Sequence, residues 1–301
     1  MHTLPFDKPG LFYKGNLHTH STLSDGQLAP DAICRLYAEL GYDFIALTDH
    51  FMQQYNFPLA DTRAFRTETF TTLLGAELHT GQTELGQLWH ILAVGLPLDF
   101  PPPPPGETGP EITARALAAG AYVAVAHPAW YHLTEADILS LGADVHAIEI
   151  YNGTSHDHND APDSWYIMDV LTERGYRYSA CATDDTHARS NRNDVGLGWV
   201  HVKSEALEPD ALLAALKAGH YYSSTGPEIF DIQLEPGRKL TVRCSPAERI
   251  FIVGAGWQAQ HAFGNGIREA EFDLSKFSGP YCRVIVRHTN GGRAWSNPIW
   301  F

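Results

Sequence analysis

The chain has 301 residues, 44% hydrophobic and 19% charged, which is the composition of an ordinary soluble globular protein with a sizeable core. Asp plus Glu number 35 against 21 Lys plus Arg, so the net charge of −14 gives no reason to expect binding to nucleic acid or an anionic membrane. The start, MHTLPFDKPG, lacks the charged and apolar regions of a signal peptide, and no stretch approaches the ~18 apolar residues of a membrane span. Four widely spaced cysteines suggest neither a disulfide framework nor a thiolate zinc site, so we expect a cytoplasmic protein.

The first motif in the chain lies at residues 16–26, which read NLHTHSTLSDG. The apolar Leu17 precedes His18 and His20, and polar residues follow at once, a pattern typical of a short buried strand that opens into a loop. Residues i and i+2 of a strand project to the same side, so both imidazoles would point to one spot. With Asp25 as an oxygen ligand on the loop, the motif predicts half of a divalent-metal site.

Beyond this motif, apolar strands alternate with amphipathic helices. The predicted helices are 29–40, 111–119, 135–141, 164–174 and 209–218. The predicted strands are 44–47, 72–76, 88–94, 122–126, 147–151 and 178–182. Such alternation implies parallel strands in a closed or nearly closed β/α barrel, in which the active site lies at the C-terminal ends of the strands.

From about Phe230 the pattern changes to short strands separated by Gly, Pro and Asn turns, with no predicted helix. These strands are predicted at 229–234, 240–243, 250–253 and 281–287. We therefore expect a β/α barrel over residues 1–226 and a small β-sandwich-like domain over residues 227–301. Three tryptophans of the second domain are predicted to pack in its core rather than form a binding face, namely Trp257, Trp295 and Trp300.

Polar residues with metal-binding side chains follow the predicted strands or lie at their ends. They are His18, His20, Asp25, His50, Glu77, His90, His127, Asp185 and His187. Nine such ligands exceed the needs of a single tetrahedral ion but suit two or three ions that share a bridging carboxylate. Nitrogen and oxygen ligands favour Zn, Mn or Fe over Mg or Ca.

This ordered set resembles the PHP (polymerase and histidinol phosphatase) family over residues 16 to about 225. The motifs that carry the resemblance are NLHTHSTLSDG, TDH at 48–50, GAE at 75–77, His90 before Ile-Leu, AHP at 126–128 and DDTH at 184–187. The resemblance implies a distorted (β/α)7 barrel, here with a small C-terminal all-β appendage. It also implies a trinuclear metal centre and, for most members, hydrolysis of phosphate esters.

Mapped residue by residue, the resemblance implies three groups of ligands. One ion would be held by His18, His20, Glu77 and Asp185. Glu77 would bridge to a second ion held by His90 and His127. The third ion would be held by Asp25, His50 and His187.

Two positions leave alternatives open. The family motif is Asp-x-His, and spacing favours Asp185 over Asp184 as the ligand. His79, two residues beyond Glu77, rivals His90 for the same role, although the apolar residues around His90 fit the family better.

Substrate contacts are predicted at the ends of two strands. Asn152 follows one strand and could donate a hydrogen bond to a substrate, while Arg189 and Arg192 follow the last metal motif and could grip a phosphate. Residues 154–158 contain a second His-x-His pair in what reads as an exposed polar loop that could line the substrate entrance.

These residues predict a metal-dependent phosphoesterase that hydrolyses a small phosphorylated metabolite, such as a nucleotide, through attack by metal-bound hydroxide. The residues predicted to be catalytic are His18, Glu77 and His187. A carboxylic or carbamic ester hydrolase on the same metal centre is the main alternative, because ligands alone do not separate attack on carbon from attack on phosphorus. A non-catalytic binding module is a third.

Overall fold

The computed structural model describes residues 4–301; residues 1–3, part of the segment in which no signal peptide is predicted, lie outside that range. The helices, in chain order, are α1 (Pro30–Glu39), α2 (Gly109–Ala118), α3 (Pro128–Tyr131), α4 (Glu135–Ser140), α5 (Gly153–Asn159), α6 (Trp165–Glu173) and α7 (Pro209–Lys217). Within the described residues, no helix has the length and apolar character needed to cross a membrane. Helix α5 covers residues 154–158, so the predicted polar loop is wrong there.

The strands fall into two runs along the chain. Those before residue 226 are β1 (Leu11–Asn16), β2 (Phe44–Leu47), β3 (His50–Phe51), β4 (Thr71–Leu78), β5 (Ile91–Val94), β6 (Tyr122–Val125), β7 (Ala147–Asn152), β8 (Ser179–Thr183), β9 (Trp199–Ser204) and β10 (Tyr221–Ser224). Those after it are β11 (Ile229–Glu235), β12 (Lys239–Gly254), β13 (Ala259–Asp273), β14 (Tyr281–Arg287), β15 (Arg293–Ser296) and β16 (Ile299–Trp300).

The fold is mixed α/β, as predicted, and is built on one extended sheet. Its hydrogen-bonded order is β11-β12-β14-β15-β10-β9-β1-β2-β4-β5-β6-β7-β8. Strands β1, β2 and β4 are parallel, as are β6, β7 and β8. Strand β5 runs antiparallel to both β4 and β6, which corrects the expectation of parallel strands throughout. No described helix lies between β4 and β5, so the chain returns antiparallel instead of making the crossover that a parallel strand needs.

A closed barrel is not confirmed, because the hydrogen-bonded path ends at β8. The Ser223 side chain on β10 nevertheless reaches across to β8. Its Oγ accepts from the Ala182 amide at 2.9 Å and donates to the Ala180 carbonyl oxygen at 2.8 Å. The end strand β8 therefore approaches β10, a strand inside the sheet order, without a backbone ladder between them.

The core of the first run of strands has side chains from the sheet and from α7 in one buried cluster. Leu17, Phe44 and Leu73 share this cluster with Leu212 and Leu216 of α7. Helix α7 is amphipathic, and Pro209 suits its first turn. The polar residues His18, Glu77 and Asp185, at or beyond the strand ends, are not part of this cluster.

The C-terminal strands have a buried cluster of their own, but they continue the same sheet. Strand β15 pairs antiparallel with β10, so the ladder crosses residue 226, and Leu4 and Tyr222 belong to the C-terminal cluster. That the chain divides into two domains between residues 226 and 227 stays a prediction. Trp295 is buried, but in a cluster of the first run of strands with Ile148 and Trp165, and Trp257 is 91% exposed, so the predicted packing in a C-terminal core is wrong for both tryptophans.

Candidate metal centre

The first motif is held in place by hydrogen bonds to two other loops. His20 N donates to the Thr186 carbonyl oxygen at 2.8 Å, which joins the loop after β1 to the loop after β8. Asp49 accepts from Ser21 N at 2.7 Å and from Ser24 Oγ at 2.6 Å. These bonds hold His18, His20 and Asp25 on one side of the loop, because the residues between them are tied to the neighbouring strands. The sequence analysis missed Asp49, whose only local signal is its place in TDH.

Glu77 lies at the middle of the site, fully buried near the end of β4. Three imidazole nitrogens face its Oε1, namely His90 Nδ1 at 2.7 Å, His127 Nε2 at 3.2 Å and His18 Nε2 at 3.6 Å. Three more face its Oε2, namely His50 Nδ1 at 2.5 Å, His79 Nε2 at 3.3 Å and His20 Nε2 at 3.7 Å. A carboxylate with imidazoles at both oxygens has the arrangement expected of a group that bridges two cations.

All nine residues predicted as ligands come together here. Their donor atoms form three groups with spacings suited to a metal ion: His18, His20 and Asp185; Glu77, His90 and His127; and His20, Asp25, His50 and His187. A fourth group contains His50, Glu77 and His79. Both His79 and His90 therefore lie at the centre, and only His90 shares a group with His127.

Asp184 and Asp185 have different surroundings. Asp185 Oδ1 lies 2.9 Å from His20 Nε2 and 3.3 Å from His18 Nε2. Asp184 instead accepts from the Tyr37 hydroxyl and from the backbone amides of residues 196–198 at 2.6–2.8 Å. The structure therefore places Asp185, and not Asp184, among the candidate ligands.

Glu149 is a buried carboxylate that the sequence analysis did not select. Its Oε1 accepts from His18 Nδ1 at 2.9 Å, and its Oε2 accepts from the His127 amide at 2.6 Å. The Thr183 hydroxyl also donates to it. With Nδ1–H of His18 held by Glu149, Nε2 of His18 is left with its lone pair toward the centre, as in carboxylate–histidine–metal arrangements. In the sequence, the sign of Glu149 is that it is the only charged residue in the strand AIEIYN.

Asn152, predicted to contact substrate, is instead bound to two carboxylates. Its Nδ2 donates to Glu149 Oε2 at 2.9 Å and to Asp185 Oδ2 at 3.1 Å, and its Oδ1 caps α5 by accepting from Ser155 N. The side chain is 1% exposed and does not line the cleft. Because both amide protons are used within the protein, Asn152 is placed to orient Asp185.

The loop after β8 is shaped by a buried aspartate, Asp194, which was also missed. Its carboxylate accepts from Thr186 Oγ1 and from the His187 amide, each at 2.9 Å. His187 Nδ1 in turn lies 3.0 Å from the Asp185 carbonyl oxygen, so the ring directs Nε2 toward Asp25 Oδ1 at 3.3 Å. Asp185 itself has a left-handed φ of 52°, a conformation that non-glycine residues adopt at few positions.

Seven of the nine candidate ligands, all but the fully buried His18 and His20, line a cleft of about 230 Å³. Trp130 and Tyr131 of α3 form one wall, and His158 of α5 lies beside Trp130 with ring centroids 5.5 Å apart. His158 therefore does line the entrance, as predicted for its segment. Arg189 and Arg192 lie at the cleft as well.

The two arginines differ in what they already bind. Arg189 Nη2 is paired with Asp25 Oδ2 at 2.7 Å and also donates to the Asp25 carbonyl oxygen. Arg192 Nη1 is buried and has no hydrogen-bond partner within residues 4–301. Arg192 therefore offers an anionic ligand a buried donor that no described group uses, whereas Arg189 is already paired with a carboxylate.

Several buried polar atoms at the centre fit a divalent cation. Among the described residues, His18 Nε2, His20 Nδ1, Asp25 Oδ1 and Glu77 Oε2 have no hydrogen-bond partner. Buried polar atoms are almost always paired, so a cluster of unpaired acceptors of this kind is typical of a site for a cation. Imidazole and carboxylate without thiolate suit Zn, Mn or Fe.

Burial and the nearby carboxylates shift the protonation of the imidazoles in opposite directions. Burial lowers the pKa of His90 to about 3, and it lowers the pKa of His20 well below the usual value. Burial opposes charge on His18 too, but the neighbouring carboxylates, chiefly Asp185 and Glu149, raise its pKa well above the usual value. His20 and His90 therefore offer neutral rings, whereas a proton on His18 must leave before a metal binds.

No protein-family model matches the chain, and no curated protein matches it. Solved structures do. A two-domain protein from Bacteroides vulgatus, named as containing a predicted PHP-like metal-dependent phosphoesterase, is 13% identical, with a TM-score of 0.56 and coverage of 97% of both chains.

Two other structures match more weakly. A candidate metal-dependent phosphoesterase from Bifidobacterium adolescentis is 16% identical, covering 59% of this chain and 89% of that one, with a TM-score of 0.44. An amidohydrolase from Chromobacterium violaceum with bound sulfate is 18% identical, covering 58% and 88%, with a TM-score of 0.46. The Bacteroides structure carries the comparison, and it confirms, for the fold, the resemblance to the PHP family that the motifs indicate.

Proposed function

We propose that the protein is a metal-dependent phosphoesterase that acts on a small phosphorylated metabolite. The observation that carries this proposal is Glu77, whose two oxygens each face three imidazoles at the floor of a cleft. The cleft is also lined by Arg192, whose Nη1 has no hydrogen-bond partner among the described residues. The name of the Bacteroides protein, which shares the fold, is consistent with it. Zn, Mn or Fe at two or three positions, and a cytoplasmic location, complete the proposal.

The three candidate groups fit the ions that such an enzyme needs. His18, His20 and Asp185 would hold one ion; Glu77, His90 and His127 a second; and Asp25, His50 and His187 a third. When bound, divalent ions supply Lewis acidity and a deprotonated water at neutral pH. His18, Glu77 and His187 come from three different strand ends, and they would fix the ions from three sides of the cleft floor.

Arg192 would bind the phosphate. Its buried Nη1 is a charged donor without a partner in the described chain, and charge-assisted bonds to phosphate are among the strongest available to a protein. Arg189 would act through Asp25, whose carboxylate it already holds at 2.7 Å. Asn152 would orient Asp185 rather than contact substrate.

A carboxylic or carbamic ester hydrolase on the same centre is the second candidate. The observation compatible with it is the aromatic wall of Trp130 and Tyr131, since the Tyr131 ring centroid lies 4.3 Å from that of His90 and 5.0 Å from that of His127. An apolar leaving group would pack on such a wall. A planar base of a nucleotide would pack there equally well, so the wall suits both candidates.

The test measures metal content and hydrolysis on the same preparation. Metal-stripped protein is reloaded with Mn or Zn, ions per chain are counted by mass spectrometry, and turnover of p-nitrophenyl phosphate and p-nitrophenyl acetate is compared. Glu77→Gln is the test variant, and Glu107→Gln, a buried carboxylate paired with Arg115, is the matched control. We expect two or three ions and metal-dependent phosphate release that only Glu77→Gln abolishes. Acetate turnover alone would favour the ester hydrolase, and less than one ion per chain would favour a binding module.

A further inference from the structure

His79 is a histidine at the centre that the family motif does not include. It follows Glu77 by two residues at the end of β4, and the side chain is 1% exposed. Residues i and i+2 share a face of a strand, so Glu77 and His79 are presented together in the same way as His18 and His20. The nearest side-chain nitrogen to His79 Nε2 is His50 Nδ1, at 2.8 Å.

The protein backbone fixes the tautomer of His79. Its Nδ1 lies 3.0 Å from the Trp89 carbonyl oxygen, which can accept a hydrogen bond but cannot donate one. Nδ1 of His79 must therefore carry a proton, and in the neutral ring Nε2 carries the lone pair. Nε2 of His79 lies 2.8 Å from His50 Nδ1 and 3.3 Å from Glu77 Oε2.

His50 Nδ1 faces two possible acceptors, His79 Nε2 and Glu77 Oε2, and among the described residues only the contact with His79 is a hydrogen bond. Glu77 Oε2 lies 2.5 Å from His50 Nδ1, but it is also the oxygen that faces His20. If Glu77 is bridging cations, its Oε2 lone pairs are committed to a cation, and His79 Nε2 is left as the acceptor for His50. With the proton on Nδ1, the His50 Nε2 lone pair faces Asp25 Oδ1 at 3.3 Å.

We propose that His79 is a positioning residue that accepts the Nδ1 proton of His50 and thereby directs His50 Nε2 at the ion of the Asp25, His50 and His187 group. The chain of contacts runs from the Trp89 carbonyl oxygen through His79 to His50. Hydrogen-bond partners of this kind set the tautomer and orientation of a metal-ligating histidine. His79 itself is not a ligand in this arrangement. The proposal rests on the metal centre proposed above.

The experiment measures the binding of each ion, not activity. Metal-stripped wild type, His79→Leu and His79→Gln are titrated with Mn or Zn by calorimetry, and ions per chain are counted after dialysis. The glutamine amide can donate to Trp89 and accept from His50, so it replaces both hydrogen bonds of His79. We expect His79→Leu to weaken one ion by about 10–100-fold and His79→Gln to restore most of that loss. The remaining ions should bind as in wild type.

Two controls separate this role from a general loss of structure. His201→Leu removes another buried histidine, one that bonds to Trp199 outside the four groups, and should leave ion binding unchanged. In a His187→Ala background, which weakens the same ion, His79→Leu should add little. Equal binding by wild type and His79→Leu would overturn the proposal, as would failure of His79→Gln to rescue or a metal bonded to His79 Nε2 in a crystal structure. If wild type itself binds no ions, the proposed function fails first.

Discussion

The carboxylates of Asp184 and Asp185 are adjacent in the chain but belong to separate hydrogen-bond networks. Asp184 Oδ1 accepts from the Leu197 and Gly198 amides and Oδ2 from Gly196 N, whereas Asp185 Oδ2 accepts from Asn152 and Oδ1 faces His20. One aspartate therefore anchors the following loop, and its neighbour faces the candidate metal centre.

Substitution of each aspartate by asparagine should separate stability from metal binding. Asp184→Asn places an amide group against backbone donors, and we expect it to lower the free energy of unfolding by roughly 2–4 kcal/mol. Asp185→Asn should leave stability of the metal-free chain nearly unchanged but weaken one ion. Denaturant unfolding and ion counting on both variants check this. If the Asp184→Asn variant lost an ion while still fully folded, the assignment of Asp184 to a structural role would be contradicted.

Glu149→Gln tests the orientation of His18. The glutamine retains the shape but loses the charge that holds His18 Nδ1–H at 2.9 Å. We expect metal affinity to fall by about 10–100-fold, because partners of ligating histidines have effects of that size. Calorimetric titration of the metal-stripped variant measures it, with Glu107→Gln as the control carboxylate. An unchanged affinity would show that His18 needs no such partner.

The two arginines should affect different kinetic quantities. Arg192→Gln removes the donor that has no partner within the described chain, so KM for a phosphate ester should rise by about 10–100-fold, as expected for the loss of one charged hydrogen bond worth about 1.5–3 kcal/mol. Arg189→Gln frees Asp25 and should reduce ion binding before it changes KM. Steady-state kinetics at saturating metal, together with ion counts, distinguish the two. If Arg189→Gln raised KM and Arg192→Gln reduced ion binding, the roles of the two arginines would be exchanged.

Acidification should release the ions in a fixed order. Burial opposes charge on His50 and His187, yet nearby carboxylates, chiefly Glu77 for His50 and Asp25 for His187, raise their pKa values above the usual value of about 6.5. Protons therefore compete for these rings already near neutral pH. Burial lowers the pKa of His90 to about 3, so its ring stays available in mild acid.

The pKa of His18 is raised as well, so on lowering the pH from 8 to 5 we expect the ions of the His18 group and of the Asp25, His50 and His187 group to leave before the ion of the Glu77, His90 and His127 group. Equilibrium dialysis at each pH, followed by metal analysis, measures the order. His187→Ala should lack one of the early steps and so identifies the ion that its group holds. Simultaneous release of every ion would contradict the difference between the two groups.

The parts of the site that the sequence predicted depend on local spacing. His18 and His20 follow β1 at a spacing of two residues, and Glu77 and His127 lie at or just beyond the ends of apolar strands, so their convergence follows from the fold class and from local spacing. The residues that hold them do not follow from such patterns. Glu149 and His18 are 131 positions apart, and their contact depends on the order of strands in the sheet.

The fold shows the same division between local and distant information. Helix α1 and strand β2 lie within a residue or two of their predicted bounds, because propensity and periodicity determine them locally. The antiparallel direction of β5 and the pairing of β10 with β15 depend on loop geometry and on segments distant in the chain. The unpredicted strands are β3, β9, β10, β13, β15 and β16, and the strands predicted at 240–243 and 250–253 are one strand, β12.

The hydroxyl of Ser223 has a consequence for how the two halves of the chain are coupled mechanically. It hydrogen-bonds to one amide and one carbonyl of β8, and no backbone ladder joins β8 to β10 there. Strand β8 leads directly into Asp184 and Asp185, and β10, which carries Ser223, is paired with β15 near the C-terminus. A shift of the C-terminal strands would therefore pull on the segment that carries Asp185, both through Ser223 and through Asn297, whose Oδ1 accepts from the Ala180 amide of β8 at 2.8 Å.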